Sequence, residues 1–310
     1  MSIIKIQDIE YARFAAHDLD VMRRFLLDFG LKDLGPQPDG FLRMRASGAA
    51  PVVHVTEPGE PAFLGLALRA AHIDDLERLA AHEGAPVEDA TGPGGGKLVR
   101  LVDPDGFVVD VVAGGVPATP LPAGANPPWN SAAAHPRAGL AKRVATGPSN
   151  VLRLGHIVLI VSDLERTWAW WRDRFGFIIS DDVRAPDGTP AAMFVRCDRG
   201  DEPADHHTLN FSVVPGKSPQ FHHVAYEVAD LDDLMVGHDN LLANGYRHAW
   251  GIGRHFLGSQ VFDYWLDPCG NRIEHWTDGD LFSAGSPTHV TDLDTMLGHQ
   301  WGPSVPADFV

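Results

Sequence analysis

The hydrophobic and polar positions of the chain repeat in two related halves. A run of apolar residues at 154–161, typical of a strand, leads through Asp163 into a helical pattern that ends at the Phe-Gly pair 175–176. The same order occurs at 9–16, before the Phe-Gly pair 29–30. Each copy therefore predicts a strand, a helix and a turn, and the chain contains an internal repeat.

Each half continues with a second strand and helix and then a hairpin. The segments 67–76 and 225–234 are apolar runs that lead into Asp-Asp-Leu helix starts. Asp-Pro-x-Gly turns at 103–106 and 267–270 separate pairs of alternating runs, which indicates hairpins. The pattern predicts four βαβββ modules, two in each half, and hence an α+β fold of two domains with paired modules.

The distribution of Pro, Ala and Gly sets the predicted domain boundaries. We expect an N-terminal module pair at 1–115, a linker rich in Pro, Ala and Gly at 116–148, and a C-terminal module pair at 149–280. The remaining tail, 281–310, contains Gly, Ser and Pro, so we expect it to pack on the outside or to fray in part.

Composition narrows the classes of partner and compartment. The 310 residues carry a formal net charge of −16, which would repel a phosphate backbone, so no nucleic-acid partner is expected. No apolar run approaches the roughly 18 residues that span a bilayer, so no membrane partner is expected either. The start of the chain lacks the pattern of a secretory signal, and there are only two cysteines; both features favour the cytoplasm.

Ligand-type side chains distinguish the second half from the first. At matched positions, the second half has His156, His223 and Glu274 where the first half has Tyr11, Gly65 and Asp110. A single strand histidine is more often structural, but three coincident changes favour a metal site. Two imidazoles and one carboxylate suit non-haem Fe(II) with open positions. Because strand side chains alternate, His222 is expected to face away from the site.

Five motifs carry a resemblance to a known family. They are Leu154-Gly-His156, His206-His207-Thr-Leu-Asn-Phe, Phe221-His-His223-Val, Gly253-Arg-His255 and Asp263-Tyr264-Trp-Leu-Asp-Pro-Cys-Gly-Asn-Arg-Ile-Glu274. In this order and spacing the second half resembles the catalytic half of the type I extradiol ring-cleavage dioxygenases of the vicinal oxygen chelate superfamily. The resemblance implies the glyoxalase-like fold of four βαβββ modules, with metal in the C-terminal pair alone.

The resemblance also implies a role for each site residue. It makes His156, His223 and Glu274 the ligands of Fe(II), with Mn(II) as an alternative, His207 the acid-base group, and His255 and Tyr264 the groups that orient the ring hydroxyls. Dioxygen would be the co-substrate, a small aromatic diol the substrate, and a homo-oligomer the assembly. From the residues alone, His207 could instead lie in a solvated turn and Tyr264 could be a packed strand aromatic.

Three other functions compete with cleavage of a catechol. The substrate could be a trihydroxylated benzene, and the departure of this sequence from the best-known enzymes around Arg254-His255 leaves that choice open. A glyoxalase-like isomerase would draw metal ligands from both halves, which Tyr11 and Gly65 disfavour. A metal-free binding protein would not need His207 or Tyr264. Phe194, Trp250 and Phe256 are candidates to line a substrate pocket.

Overall fold

The computed structural model describes residues 2–122 and 126–309. Residue 1 of the predicted N-terminal module pair, residues 123–125 of the predicted linker and residue 310 of the predicted tail lie outside the described residues. The first half contains β1 (Ile6–Ala16), α1 (Leu19–Phe29), β2 (Lys32–Asp33), β3 (Leu42–Arg45), β4 (His54–Pro58), β5 (Ala62–Ala70), α2 (Ile73–Glu83), β6 (Glu88–Asp89), β7 (Lys97–Val102) and β8 (Val108–Ala113). The second half contains β9 (Val151–Ile160), α3 (Leu164–Phe175), β10 (Ile178–Arg184), β11 (Pro190–Arg196), β12 (Ala204–Asp205), β13 (Leu209–Ser212), β14 (Gln220–Val228), α4 (Leu231–Ala243), β15 (Arg247–His255), β16 (Val261–Leu266), β17 (Arg272–Thr277), β18 (Leu281–Phe282), β19 (His289–Asp292), α5 (Leu293–Leu297) and β20 (His299–Trp301).

The two halves build two sheets with the same central arrangement. The first sheet has the order β2-β3-β4-β1-β5-β8-β7-β6, and the second has β19-β10-β11-β13-β9-β14-β17-β16-β15-β20. In both, the first strand of the half pairs in parallel with a strand of its own module and antiparallel with the first strand of the next module. The predicted α+β fold of paired βαβββ modules is therefore confirmed.

Local sequence explains where the helices begin and end. The side chain of Asp18 accepts the backbone N–H groups of Asp20 and Val21 at the start of α1, and Asp163 caps α3 by accepting from Arg166. Both helices end at the glycine of the Phe-Gly pair, where the left-handed backbone is readily adopted by a residue without Cβ. The two copies thus share the interactions that begin and end their first helix, as well as a similar sequence.

Contacts between aromatic side chains join the two halves. The ring of Phe29 on α1 stacks on His275 of β17 with 3.7 Å between ring centroids. The buried hydroxyl of Tyr226 lies 3.0 Å from Nδ1 of His54. The stacked rings bury apolar surface, which contributes about 25 cal/mol per Å², and the hydroxyl of Tyr226 adds a polar contact between the two halves.

The connecting segment and the tail differ in how they pack. The described parts of 116–148 contain no helix or strand, although the backbone N–H of Leu121 donates to Ser47 O at 2.8 Å. The tail instead adds β19 and β20 to opposite edges of the second sheet and brings the buried Phe309 against Tyr264. Residues of the tail therefore belong to the second sheet and, at Phe309, to its core. The composition of the tail had predicted an external or partly frayed position instead. None of the helices in the described residues has both the length and the hydropathy to cross a membrane.

Candidate metal centre and pocket

Three neighbouring strands of the second sheet bring the predicted ligands together. Ala225 of β14 pairs with His156 of β9 on one side and with Glu274 of β17 on the other, and His223 lies two residues before it. Nε2 of His156 is 3.3 Å from Oε2 of Glu274, and Nε2 of His223 is 3.5 Å from the same oxygen. The three candidate ligand atoms lie within 4.8 Å of one another, and all three residues are buried.

The carboxylate of Glu274 is buried with no hydrogen-bond partner. Its exposed fraction is 0%, and neither oxygen has a partner in the described residues. Burial raises the pKa of Glu274 well above its ordinary value, while burial lowers the pKa of His156 to about 3 and that of His223 well below its ordinary value. Two neutral imidazoles do not compensate a buried carboxylate, so this set fits a bound cation.

The distances also agree with a metal. Zinc-type bonds of about 2.0–2.2 Å from nitrogen and oxygen to a shared ion leave neighbouring ligand atoms about 3.0–3.4 Å apart. The imidazole-to-carboxylate separations of 3.3 and 3.5 Å lie close to this range and are too long for good hydrogen bonds. His156, His223 and Glu274 therefore fit an ion of the kind that binds two histidines and one carboxylate.

The three other predicted site residues surround this set. The ring centroid of His207, a buried residue just before β13, is 4.1 Å from that of His156. Nε2 of His255 lies 3.1 Å from the hydroxyl of Tyr264, whose ring centroid is 5.2 Å from that of His223. All six residues predicted from the sequence thus converge on one site, and His207 lies in the protein interior, not in a solvated turn.

His222 lies closer to the site than strand alternation predicted. The pairing of β14 with β9 is irregular between Phe221 and His223, and this bulge turns His222 toward its neighbour. Nδ1 of His222 is 2.7 Å from Nδ1 of His223, and its Nε2 is 2.8 Å from the carbonyl of Phe309. His222 is consequently placed to orient the ring of His223, although its own nitrogens lie outside the group of candidate ligands.

A second group that sequence analysis missed lies behind His207. Nδ1 of His206 is 3.1 Å from Nδ1 of His207, and Nε2 of His206 is 2.5 Å from a carboxylate oxygen of Asp181 on β10. The hydrogen-bonded chain Asp181–His206–His207 holds the ring of His207 in place. The adjacent histidines were visible in the sequence, whereas nothing in the pattern of β10 connected Asp181 with them.

A cavity of about 220 Å³ opens in front of the candidate ligands. Its apolar wall includes Phe194, Trp250, Leu257, Met296, Leu297 and Phe309. No lysine, arginine, aspartate or glutamate is among the described residues that line it. Phe194 and Trp250 thus lie where the sequence suggested, while Phe256 is half exposed and outside the wall.

Comparison of the sequence with known proteins identifies the family to which the chain belongs. Residues 153–275 match a family profile described as "Glyoxalase/Bleomycin resistance protein/Dioxygenase superfamily". The chain is 30% identical to metapyrocatechase 2 of Cupriavidus necator over 311 residues, which cover 98% of this chain and 92% of that protein.

Two solved structures have a similar fold. The structure of homoprotocatechuate 2,3-dioxygenase from Brevibacterium fuscum in complex with 3,4-dihydroxyphenylacetate has a TM-score of 0.80 at 22% identity, covering 99% of this chain and 92% of that one. A Mn(II)-bound glyoxalase from Novosphingobium aromaticivorans has a TM-score of 0.76 at 23% identity, covering 97% and 93%. At these identities the likeness extends to the fold alone.

Proposed function

Because this chain belongs to the type I extradiol dioxygenases of the vicinal oxygen chelate superfamily, we propose that it cleaves the ring of a small aromatic diol with dioxygen, using Fe(II) held by His156, His223 and Glu274. The observation that carries the proposal is Glu274, a buried carboxylate without a hydrogen-bond partner between two neutral imidazoles. Mn(II), which prefers the same oxygen and nitrogen ligands, is the alternative ion.

Bound at these residues, Fe(II) would supply open positions at which the diol and dioxygen meet, together with the redox chemistry that joins them. Nε2 of His255 and the hydroxyl of Tyr264 are 3.1 Å apart in the lining of the cavity, and both groups are placed to hold the hydroxyls of the ring. The apolar wall of the pocket keeps water away from the reacting ring. Both oxygen atoms end in a ring-opened semialdehyde or keto acid.

His207 is the residue placed to move protons. Burial lowers the pKa of His207 well below its ordinary value, which favours a neutral ring with one nitrogen free to accept a proton. The chain through His206 to Asp181 fixes the orientation of the ring. His207 would accept the proton released by a hydroxyl of the diol as the diol binds, and would return that proton to oxygen as the ring opens.

The charge of the pocket wall favours an uncharged substrate. A carboxylated catechol would bury its carboxylate against a wall that has no cation among the described residues, and an unpaired buried charge is costly. Alkyl or aryl substituents would instead bury apolar surface against Trp250 and Met296. We therefore place neutral alkylcatechols ahead of carboxylated ones.

The first test is oxygen consumption by enzyme loaded anaerobically with Fe(II). The panel contains catechol, alkylcatechols, dihydroxybiphenyl, homoprotocatechuate and trihydroxybenzenes. We expect ring-opened product from catechols, with kcat/KM for homoprotocatechuate about 10²-fold or more below that for an alkylcatechol of similar size. Met296→Arg, on the pocket wall, should narrow this ratio, whereas Met235→Arg, on an exposed part of α4, should not. Absence of ring cleavage with every compound would contradict the proposed function itself.

Two further properties complete the proposal. We place the enzyme in the cytoplasm because both of its cysteines, Cys197 and Cys269, are unpaired, as expected where thiols stay reduced. We also expect a homo-oligomer, as the resemblance implied; light scattering of the purified protein measures its mass directly, and a monomer at micromolar concentration would contradict this.

A further inference from the structure

A second set of two histidines and one carboxylate lies on the other face of the second sheet. Asp263 directly precedes Tyr264 on β16, so strand alternation directs its carboxylate away from the proposed iron centre. His238 of α4 and His248 of β15 converge on it, with His238 Nδ1 3.1 Å from Oδ2 and His248 Nε2 2.8 Å from Oδ1. These ligand-type atoms lie within 4.8 Å of one another.

The geometry of this set resembles that of the proposed iron ligands. The ring centroids of His238 and His248 are 5.0 Å apart, compared with 5.5 Å for His156 and His223. The separation of 3.1 Å already equals that expected between ligands of one divalent ion, about 3.0–3.4 Å, and the separation of 2.8 Å needs to widen by a few tenths of an ångström. Little rearrangement is thus required for a metal to enter.

The surroundings supply the charge, support and access that a metal site needs. Asp263 has an exposed fraction of 0%, and the indole N–H of Trp265 donates to its Oδ2 at 2.7 Å, which fixes the carboxylate. Although burial raises the pKa of Asp263, hydrogen bonds from His238 and His248 hold it below its ordinary value. The two imidazoles are 17% and 26% exposed, so an ion from solution reaches the set.

We propose that His238, His248 and Asp263 form a second divalent-metal site, which takes a borderline transition metal such as Zn(II) and leaves one position to water. Imidazole and carboxylate ligands suit Zn(II), whereas Mg(II) and Ca(II) prefer oxygen ligands alone. The ion would replace the imidazole protons that bind Asp263 in the metal-free protein. It would tie α4 to β15 and β16, the two strands that carry His255 and Tyr264, and so stabilise the hairpin behind the proposed iron centre.

The competing explanation is a set of hydrogen bonds without metal. Neutral tautomers of both histidines can donate to Asp263, which satisfies its oxygens together with Trp265. Zinc would then bind no better at this set than at other surface histidines. His82 provides the matched comparison, because it is an exposed helical histidine 2.7 Å from a single carboxylate, that of Glu83, with no second imidazole in the group.

The test is zinc binding by the full chain in a His223→Ala background, which removes the proposed iron centre. After chelator treatment, equilibrium dialysis against Zn(II) should give about one ion per chain, with a rise in Tm on zinc addition. Adding His248→Gln or His238→Gln should reduce zinc to background and abolish the Tm rise, whereas adding His82→Gln should change neither. Circular dichroism checks that each variant is folded. The two partly exposed histidines are replaced because Asp263 is fully buried.

Each outcome decides the proposal independently of catalysis. Equal zinc content with and without His248→Gln would overturn it, as would a Tm rise that survives both histidine substitutions. Loss of zinc only in these variants would support it even if the enzyme failed to cleave any diol. Because the readouts are metal content and Tm, failure of the proposed dioxygenase activity remains a separate result.

Discussion

Asp110 and Glu274 occupy matched positions in the two sheets but have opposite surroundings. Ala67 separates Asp110 from Tyr11 across the first sheet, just as Ala225 separates Glu274 from His156 across the second. Both carboxylates are buried. The two carboxylates differ in the groups that balance their charge.

Arginine balances the charge of Asp110. Arg100, its cross-strand partner on β7, donates to it through Nε at 2.7 Å, Arg13 lies 3.5 Å away, and the hydroxyl of Tyr11 donates at 3.1 Å. The cross-strand partner of Glu274 is Tyr264, which carries no charge to offset it. The first half has the larger cavity, about 940 Å³, but its central carboxylate is already compensated. Of these two matched carboxylates, Asp110 is thus paired with arginine, whereas the oxygens of Glu274 have no partner among the described residues.

Two other matched positions also lack a histidine in the first half. The parallel pairing of β4 with β1 and of β13 with β9 places Val52 at the register position of His207. Gly65 stands at the position of His223, and a Cβ built there would lie 2.4 Å from the carbonyl oxygen of Val108. A ligand-bearing residue does not fit at Gly65 without moving β8. This disfavours a glyoxalase-like centre with ligands from both halves.

The largest expected effect is loss of metal from Glu274→Ala. Without this carboxylate, two neutral imidazoles remain, and the content of Fe(II) or Mn(II) should fall from about one ion per chain to background. Metal analysis after anaerobic loading measures it. Asp110→Asn is the matched control and should keep its metal, because that carboxylate is paired with arginine. Equal metal loss in both variants would contradict the comparison.

Tyr264→Arg should give Glu274 an arginine partner like the one that Asp110 has in the first half. A guanidinium at this position would face Glu274 as Arg100 faces Asp110 and would compete with the ion. Two like unit charges 4 Å apart repel each other by about 4 kcal/mol at an effective dielectric constant of 20. Metal affinity should therefore fall about 10²–10³-fold. Titration with Mn(II) measures the affinity. Tyr264→Phe should bind metal nearly as the parent does, and equal affinities for the two variants would show that charge compensation is not the reason.

His207→Phe should separate catalysis from metal binding. The three proposed ligands remain, so metal content should stay near that of the parent, while turnover falls about 10²-fold or more because a positioned acid-base group is lost. Stopped-flow turnover and metal analysis together measure both quantities. Normal turnover in His207→Phe together with a loss in His255→Phe would assign the acid-base role to His255 instead.

The sequence predicted the repeat, the modules and the residues that meet at the site because these depend on local patterns. Apolar alternation, Asp caps and Asp-Pro-x-Gly turns are short-range features, and comparison of the two copies then selected His156, His223 and Glu274. The three proposed ligands followed from the duplication, whereas His207, His255 and Tyr264 followed from the family resemblance. Their roles in binding metal and moving protons remain predictions.

Other features depended on register and long-range packing. The bulge that turns His222 toward His223 comes from a shift between two paired strands, which alternation in one strand does not reveal. Asp181 reaches the site through the pairing of β10 with β11 and of β11 with β13. Phe309 reaches Tyr264 because the tail folds back over the sheet. None of these contacts has a sequence signal of its own.

The smallest expected effect is on stability and concerns the matched pair Gly65 and Gly40. Both have positive φ, +136° and +77°, but nothing lies within 4 Å of a Cβ built at Gly40, whereas one at Gly65 meets the carbonyl oxygen of Val108. Gly40→Ala should therefore cost about 1 kcal/mol from backbone strain alone. Gly65→Ala should cost about 2–4 kcal/mol, because β5 and β8 must also move apart.

Denaturation of the metal-free proteins compares the free energies of unfolding of the two variants, and metal content should be unchanged in both. Equal costs would show that the first sheet tolerates a side chain where the second has His223, and the steric part of the comparison would then be wrong.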